Sequence, residues 1–185
     1  MGGPTDMQEA QLYGGAMLCE LPRSFADAST LREVPDHQEV WVDTGSDRSL
    51  MIEILERKDV ADEEAMQFFL SDLAAFNDAS EASILRSGPL APEEVPHVPA
   101  ACAAKAVGEQ IVAKFREDRR NRVQIHAAVL RLPQVSTDLL ITLNDPVSID
   151  PESSSADAPV PVESAEAILA AVLRSFRIAD WGLFG

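Results

Sequence analysis

The residues best suited to chemistry stand far apart in this sequence. His37 lies in a turn-forming stretch, His97 among prolines, and His126 inside the apolar run VQIHAAVLRL. That spacing supplies neither a local set of metal ligands nor a nucleophile beside its base. An imidazole within such an apolar run reads as packed or hydrogen-bonded in place. Cys19 and Cys102 lack paired spacing, which argues against a zinc knuckle or a disulfide framework and suits buried thiols in a reducing compartment. No phosphate loop, dinucleotide fingerprint, nucleophile elbow or zinc-binding His-Glu-x-x-His helix occurs, and each absence removes an enzyme class. The reading is of a protein without catalytic residues, metal or cofactor, which makes and breaks no covalent bond.

Charge says more. The 185 residues carry a net charge of −16. Residues 1–100 hold 6 Lys and Arg against 20 Asp and Glu, or −14, whereas residues 101–185 hold 9 against 11, or −2. Such a field repels nucleic acid and anionic membranes and steers in a basic protein. The one basic concentration, Lys114, Arg116, Arg119, Arg120 and Arg122, has few aromatic neighbours on which bases could stack, and reads as a solvated hairpin turn. Among the acids, Asp36 and Glu39 flank the entry to one strand-like run, while Glu53 and Glu56 end the next. Pairing of the two runs would gather these carboxylates on one rim, exposed. Pattern alone reads them as solvated strand ends.

The elements that would position them follow from periodicity. LYGGAMLCEL, residues 12–21, reads as a short strand opened by a glycine turn and closed by Pro22. Asp27 and Ser29 can cap a short helical turn around Leu31. QEVWVD and SLMIEILE read as strands, the latter with Leu50, Ile52 and Ile54 on its core face. From Asp62 the period becomes helical, with Met66, Phe69, Leu73 and Phe76 on one stripe and an end near Asn77. Residues 88–101 hold four prolines and read as a surface loop, and residues 150–161 as a disordered low-complexity linker. Between these lie strand-like runs at 102–107, 109–116, 123–132 and 136–144. A final helix is expected over 162–177, burying Ala165, Leu169, Val172, Leu173 and Phe176. With no apolar run near the roughly 18 residues of a membrane span, a soluble, intracellular monomer of one domain, residues 1–185, is expected. The absence of βα alternation points to an α/β protein of the α+β type, with an antiparallel sheet covered by helices.

The strings LYGGAMLCELP, ADASTLREVPDHQEVWVD, SLMIEILE, FLSDLAAFNDA and HAAVLRLPQVSTDLLITLNDP resemble, in order and spacing, the Ran guanine nucleotide release factor family, also called the Mog family. The likeness covers most of residues 12–146, extends weakly over the C-terminal helix and its WGLFG ending, and leaves the proline-rich stretch and the linker unmatched. It implies a central antiparallel sheet of about six strands sandwiched by helices, a fold similar to that of an extrinsic photosystem protein. It also implies a nuclear and cytoplasmic protein that binds the GTPase Ran and promotes release of its guanine nucleotide in nucleocytoplasmic transport. The family's acidic Ran-contacting surface would fall on Asp27, Ser29, Asp36, Glu39, Glu53 and Glu56. His37 occupies a variable place in the family string and Glu53 replaces Asp of some members, so no acidic charge is lost. An acidic scaffold or trafficking adaptor that binds a basic partner without affecting nucleotide is the alternative.

Because residues 150–161 offer few apolar side chains for a core, shortening them with the chain still connected is expected to leave thermal unfolding nearly unchanged. A large fall in melting temperature would overturn that reading.

Overall fold

The computed structural model describes residues 6–100, 102–113, 120–148 and 163–185, and the account below concerns these. Ten strands form in chain order: β1 Met7–Leu12, β2 Met17–Pro22, β3 Phe25–Asp27, β4 Gln38–Asp43, β5 Ser49–Glu56, β6 Glu81–Pro89, β7 Cys102–Ala113, β8 Arg120–Leu132, β9 Thr137–Ser148 and β10 Arg177–Ile178. Two α-helices, α1 Ala65–Phe76 and α2 Ala165–Ser175, complete the regular elements, with short 3-10 turns between. Seven strands build one sheet in the order β3-β4-β5-β9-β8-β7-β6, and β1, β2 and β10 build a second. Every pairing among the described residues is antiparallel.

The expected helix-covered antiparallel sheet is therefore present, one strand larger than expected and joined by a second sheet. Its middle follows from the near-continuous apolar run of β8, which is buried on both faces. Ile125, Ala127 and Val129 meet α1, and Ala128, Leu130 and Leu132 meet α2 and the smaller sheet. Helix α1 lays Ala65, Met66, Phe69 and Leu70 on its face. Phe76 departs from the expected stripe. It is the last residue of the helix, where the chain turns away through left-handed Asp78, and it is 82% exposed. Helix α2 buries every residue expected of it together with Ile168, and starts at a Ser164 cap whose hydroxyl accepts from the Ala167 amide. Arg48 seats that start: its Nε donates to Asp145 at 2.7 Å and a terminal nitrogen to the Glu163 carbonyl at 2.5 Å.

Other expectations are corrected. The strand opened by a glycine turn expected over 12–21 is present as β2, with Gly14 and Gly15 at left-handed φ of 67° and 94°, but the expectation lacked β1, which pairs with it as a hairpin. The runs 102–107 and 109–116 merge into the single strand β7, since Gly108 stays in register opposite Ile125. The proline-rich stretch begins as the end of β6 and then pins Leu90, Val95 and Val98 into the α2-side core, so it is an anchored segment rather than a loop lying on the surface. The linker 150–161, and Lys114, Arg116 and Arg119 of the basic cluster, lie outside the described residues.

One polar assembly crosses this apolar architecture. Arg131 of β8 and Asp138 of β9 face each other across the hairpin and are both 0% exposed. Arg131 donates to Asp138 at 3.0 Å, to the Val60 carbonyl at 2.7 Å, to the Lys58 carbonyl at 2.5 Å and to Asp62 at 2.8 Å. The Lys58 amide returns a bond to Asp138 at 3.0 Å. The connection from β5 to α1 is thereby fastened to the central hairpin.

Removing one partner leaves the other charge buried and unpaired. Arg131→Met is expected to cost roughly 3–5 kcal/mol in urea unfolding, and a paired Arg131→Met, Asp138→Leu variant to recover much of it. A single-variant cost under about 1 kcal/mol would show that the assembly does not hold the connection.

Candidate functional site

The acidic residues singled out above converge on one end of the β3–β4–β5 edge. Gln38 pairs with Glu53 and Glu39 with Ile52, and the Ile54 amide donates to the His37 carbonyl at 2.9 Å. The chain entering β4 at Asp36 thus runs beside the end of β5 at Glu56. Asp27 closes β3 opposite Trp41, on the same face of the sheet as Glu39. Its carboxylate accepts from the Ser29 amide at 2.8 Å and caps the 3-10 turn Ala28–Thr30, the short helical turn expected there.

Strand alternation then deals the carboxylates to different environments. Asp36, Ser29 and Glu56 are exposed. The side chains of Asp36 and Glu56 make no hydrogen bond or ion pair among the described residues. Glu39 is half-buried on the face toward the smaller sheet. Glu53, directed to the opposite face, is only 9% exposed and accepts from Gln38 Nε2 at 2.7 Å. The expectation of an exposed Glu53 fails because its β5 position alternates with Ile52 and Ile54 and falls beneath the covered side of the sheet.

Tyr13 organises this end, and sequence reasoning missed it. Its backbone sits at φ 51°, a left-handed conformation uncommon outside glycine, which aims its amide at Glu39 Oε1, 2.6 Å away. Its hydroxyl lies 2.8 Å from the Ile52 carbonyl and 2.9 Å from that of His37. The β1–β2 turn therefore clamps both strands that carry the acids. The signal was a tyrosine directly before the glycine pair, legible as a turn but not as a clamp. Burial, then the charges of Glu39 and Glu53, push the Tyr13 phenol far above its ordinary value, so it stays neutral. Burial also raises the Glu39 carboxyl above 4.5, with Asp27 adding to the effect and the Tyr13 amide opposing it.

The histidines do not converge with this edge. His37 and His97 are exposed at separate places, and His126 is buried under α2. No group of three or more His, Cys, Asp or Glu among the described residues could hold a metal ion. Burial pushes the Cys19 thiol up to about 12, which makes it an inert core residue. No described helix is long and apolar enough to cross a membrane. What the edge can do is present negative charge on a rigid strand pair to a cationic surface.

Comparison with known proteins bears on that reading. A family model described as Ran-interacting Mog1 protein matches residues 10–146. The chain is 39% identical to a Ran guanine nucleotide release factor of Danio rerio, over 94% of this chain and 98% of that one. It is 30% identical to the nuclear import protein MOG1 of Saccharomyces cerevisiae, over 98% of this chain and 87% of that one. The crystal structure of the Saccharomyces cerevisiae Ran-binding protein Mog1p superposes with a TM-score of 0.73 at 30% identity, covering 97% of this chain and 99% of that one.

A raised Glu39 pKa fixes the sign of one pH effect. The folded state holds that proton more tightly than the unfolded chain, so the penalty for charging Glu39 is full at neutral pH and is relieved as pH falls through its folded value. Glu39→Gln should accordingly leave the melting temperature at pH 7 unchanged or higher, and side-chain carbon NMR of the parent should place the Glu39 midpoint above 4.5. A marked drop in melting temperature would mean that the bond from Tyr13 outweighs desolvation.

Proposed function

The chain belongs to the Ran-interacting Mog1 family, and from that premise we propose that it binds the small GTPase Ran and promotes release of its guanine nucleotide through the acidic end of the β4–β5 pair. The observation that carries the assignment to this edge is the grouping of Asp36, Glu39 and Glu56 at one end of two paired strands, held there by Tyr13.

The work required is linkage rather than bond chemistry. A partner that binds nucleotide-free Ran more tightly than loaded Ran lowers nucleotide affinity by the same factor, because coupling between two ligands is reciprocal. Each 1.4 kcal/mol of coupling is roughly tenfold in nucleotide affinity. Carboxylates suit this work because, offered to the cations that bind phosphate and to the region of the magnesium ion, they compete with the nucleotide's own charge. Asp36 and Glu56 are free to make such contacts, whereas Glu39 presents one oxygen while the other is held by the Tyr13 amide. Glu53 contributes by fixing Gln38 and the strand entry. The concentration of −14 in residues 1–100 adds long-range steering of a basic partner, an effect that weakens over about 10 Å at 0.1 M salt. The protein makes and breaks no covalent bond of its own, and acts in nucleocytoplasmic protein transport from both nucleus and cytoplasm.

The test is the release of a fluorescent guanine nucleotide from Ran. The double variant Asp36→Lys, Glu56→Lys should weaken Ran binding on the order of a hundredfold and slow release in parallel, since each lysine adds repulsion to the lost attraction. Its melting temperature should stay within about 2 °C of the parent, because exposed, unpaired carboxylates contribute little to folding. Release at the parental rate by the folded variant would move the site elsewhere.

A further inference from the structure

We propose that the hollow between α2 and strands β6, β7 and β8 binds a small organic anion with an apolar body and one acidic head group. The hollow measures about 360 Å³, within the range of roughly 300–1,000 Å³ usual for small-molecule sites. It lies on the α2 face at the β6 side of the sheet, away from the acidic edge at β4 and β5. Its walls are apolar, supplied by Leu90, Val107, Leu169 and Leu173.

The space exists because two of the three residues facing α2 in this row, Gly88 and Ala128, are small, while the third, Lys105, carries its ammonium to Glu94. Gly88 stands opposite Lys105, and Lys105 opposite Ala128. A Cβ added at Gly88 would meet nothing within 4 Å. Arg48 and Asp145 hold the start of α2 at its place on the sheet, so the gap is built into the packing rather than left by a loose helix.

The polar groups around the hollow carry a cationic surplus. Arg86 is paired with Glu166 at 2.8 Å and Lys105 with Glu94. Arg174 also lines it and makes no hydrogen bond or ion pair among the described residues. Three cations against two carboxylates leave one positive charge over, in a protein whose net charge is −16. Proteins keep buried polar atoms partnered, and His126 breaks that rule here. It lines the hollow at 5% exposure, and its Nε2 reaches no partner. Burial, the leading influence on it, holds the imidazole below its usual range, so it remains neutral and can give or accept one hydrogen bond. An anion paired with Arg174, with its apolar body against Leu169 and Leu173 and beside the His126 ring, uses the surplus charge and the apolar walls. A rotation of that ring brings its Nε2, closed to solvent in the empty hollow, to a polar atom of the guest.

The test uses the full chain and two fluorescent probes of like shape: anilinonaphthalene sulfonate, which is anionic, and its uncharged parent phenylnaphthylamine. The sulfonate should bind with one-to-one stoichiometry, at least about tenfold more tightly than the neutral probe. Gly88→Leu, which fills the open space, should abolish binding of both while keeping or raising the melting temperature. Arg174→Gln, at an exposed position of α2, should erase the preference for the sulfonate, and sulfonate binding should shift the His126 imidazole nitrogen resonances of the parent. Failure of the sulfonate to bind, equal affinity for the two probes, or undiminished binding in a folded Gly88→Leu protein would each overturn the proposal.

Discussion

A guanidinium with no exposed surface survives in a protein interior only where every donor finds an acceptor, and Arg131 meets that demand with one carboxylate beside it, a second at the rim and two backbone carbonyls. This satisfaction of one buried cation fixes three things together. It sets the register of the central hairpin, because Arg131 and Asp138 must be cross-strand partners. It fastens the chain leaving β5, because Lys58 and Val60 are ligands of the same group. It also places the 3-10 turn that leads into α1, because Asp62 at its start completes the set. The apolar layers supply the bulk of the stabilisation, but along β8, apolar on both faces, they discriminate register only weakly. The guanidinium is not, and a buried polar network of this kind supplies uniqueness more than strength.

The carboxylate edge uses the same logic in a shallower form. Tyr13 reaches from a separate sheet to hold the backbone of β4 and β5, and its amide takes one oxygen of Glu39 out of free rotation. Side chains held in this way lose less conformational freedom when a partner arrives, so a given contact converts into more affinity. The flanking acids Asp36 and Glu56 are exposed and lack such supports, so any contact they make carries the cost of ordering the side chain. Rigid and mobile carboxylates thus stand side by side.

Much of this is legible from pattern. The alternation of SLMIEILE places Leu50 and Ile52 correctly, the period after Asp62 locates α1, and the family strings carry the sheet and its acidic edge. What pattern cannot reveal are contacts between residues remote in sequence. Nothing near Glu53 announces that Gln38 will cover it, because that requires the register of two strands. The pair Arg131 and Asp138 resembles ordinary polar punctuation around PQVST, since burial of a charge depends on acceptors some seventy residues away. The proline-rich stretch misleads for a related reason: prolines exclude regular hydrogen bonding, but they do not prevent Leu90, Val95 and Val98 from reaching a core. The short strand β10 is invisible on its own and exists because β2 offers a free edge.

That last pairing has a consequence for how the molecule is made. Arg177 and Ile178 lie against Leu18 and Met17, so two segments almost as far apart in sequence as the chain allows are neighbours in one small sheet. During synthesis the hairpin of β1 and β2 emerges well before α2, and the apolar faces it shares with that helix stay uncovered until residues 165–178 have followed. Closing so long a stretch of chain comes late, because its loop entropy is paid before the contact rewards it. A nascent chain of this protein thus carries an open strand edge at β2 and a bare hydrophobic face until α2 and β10 have been made.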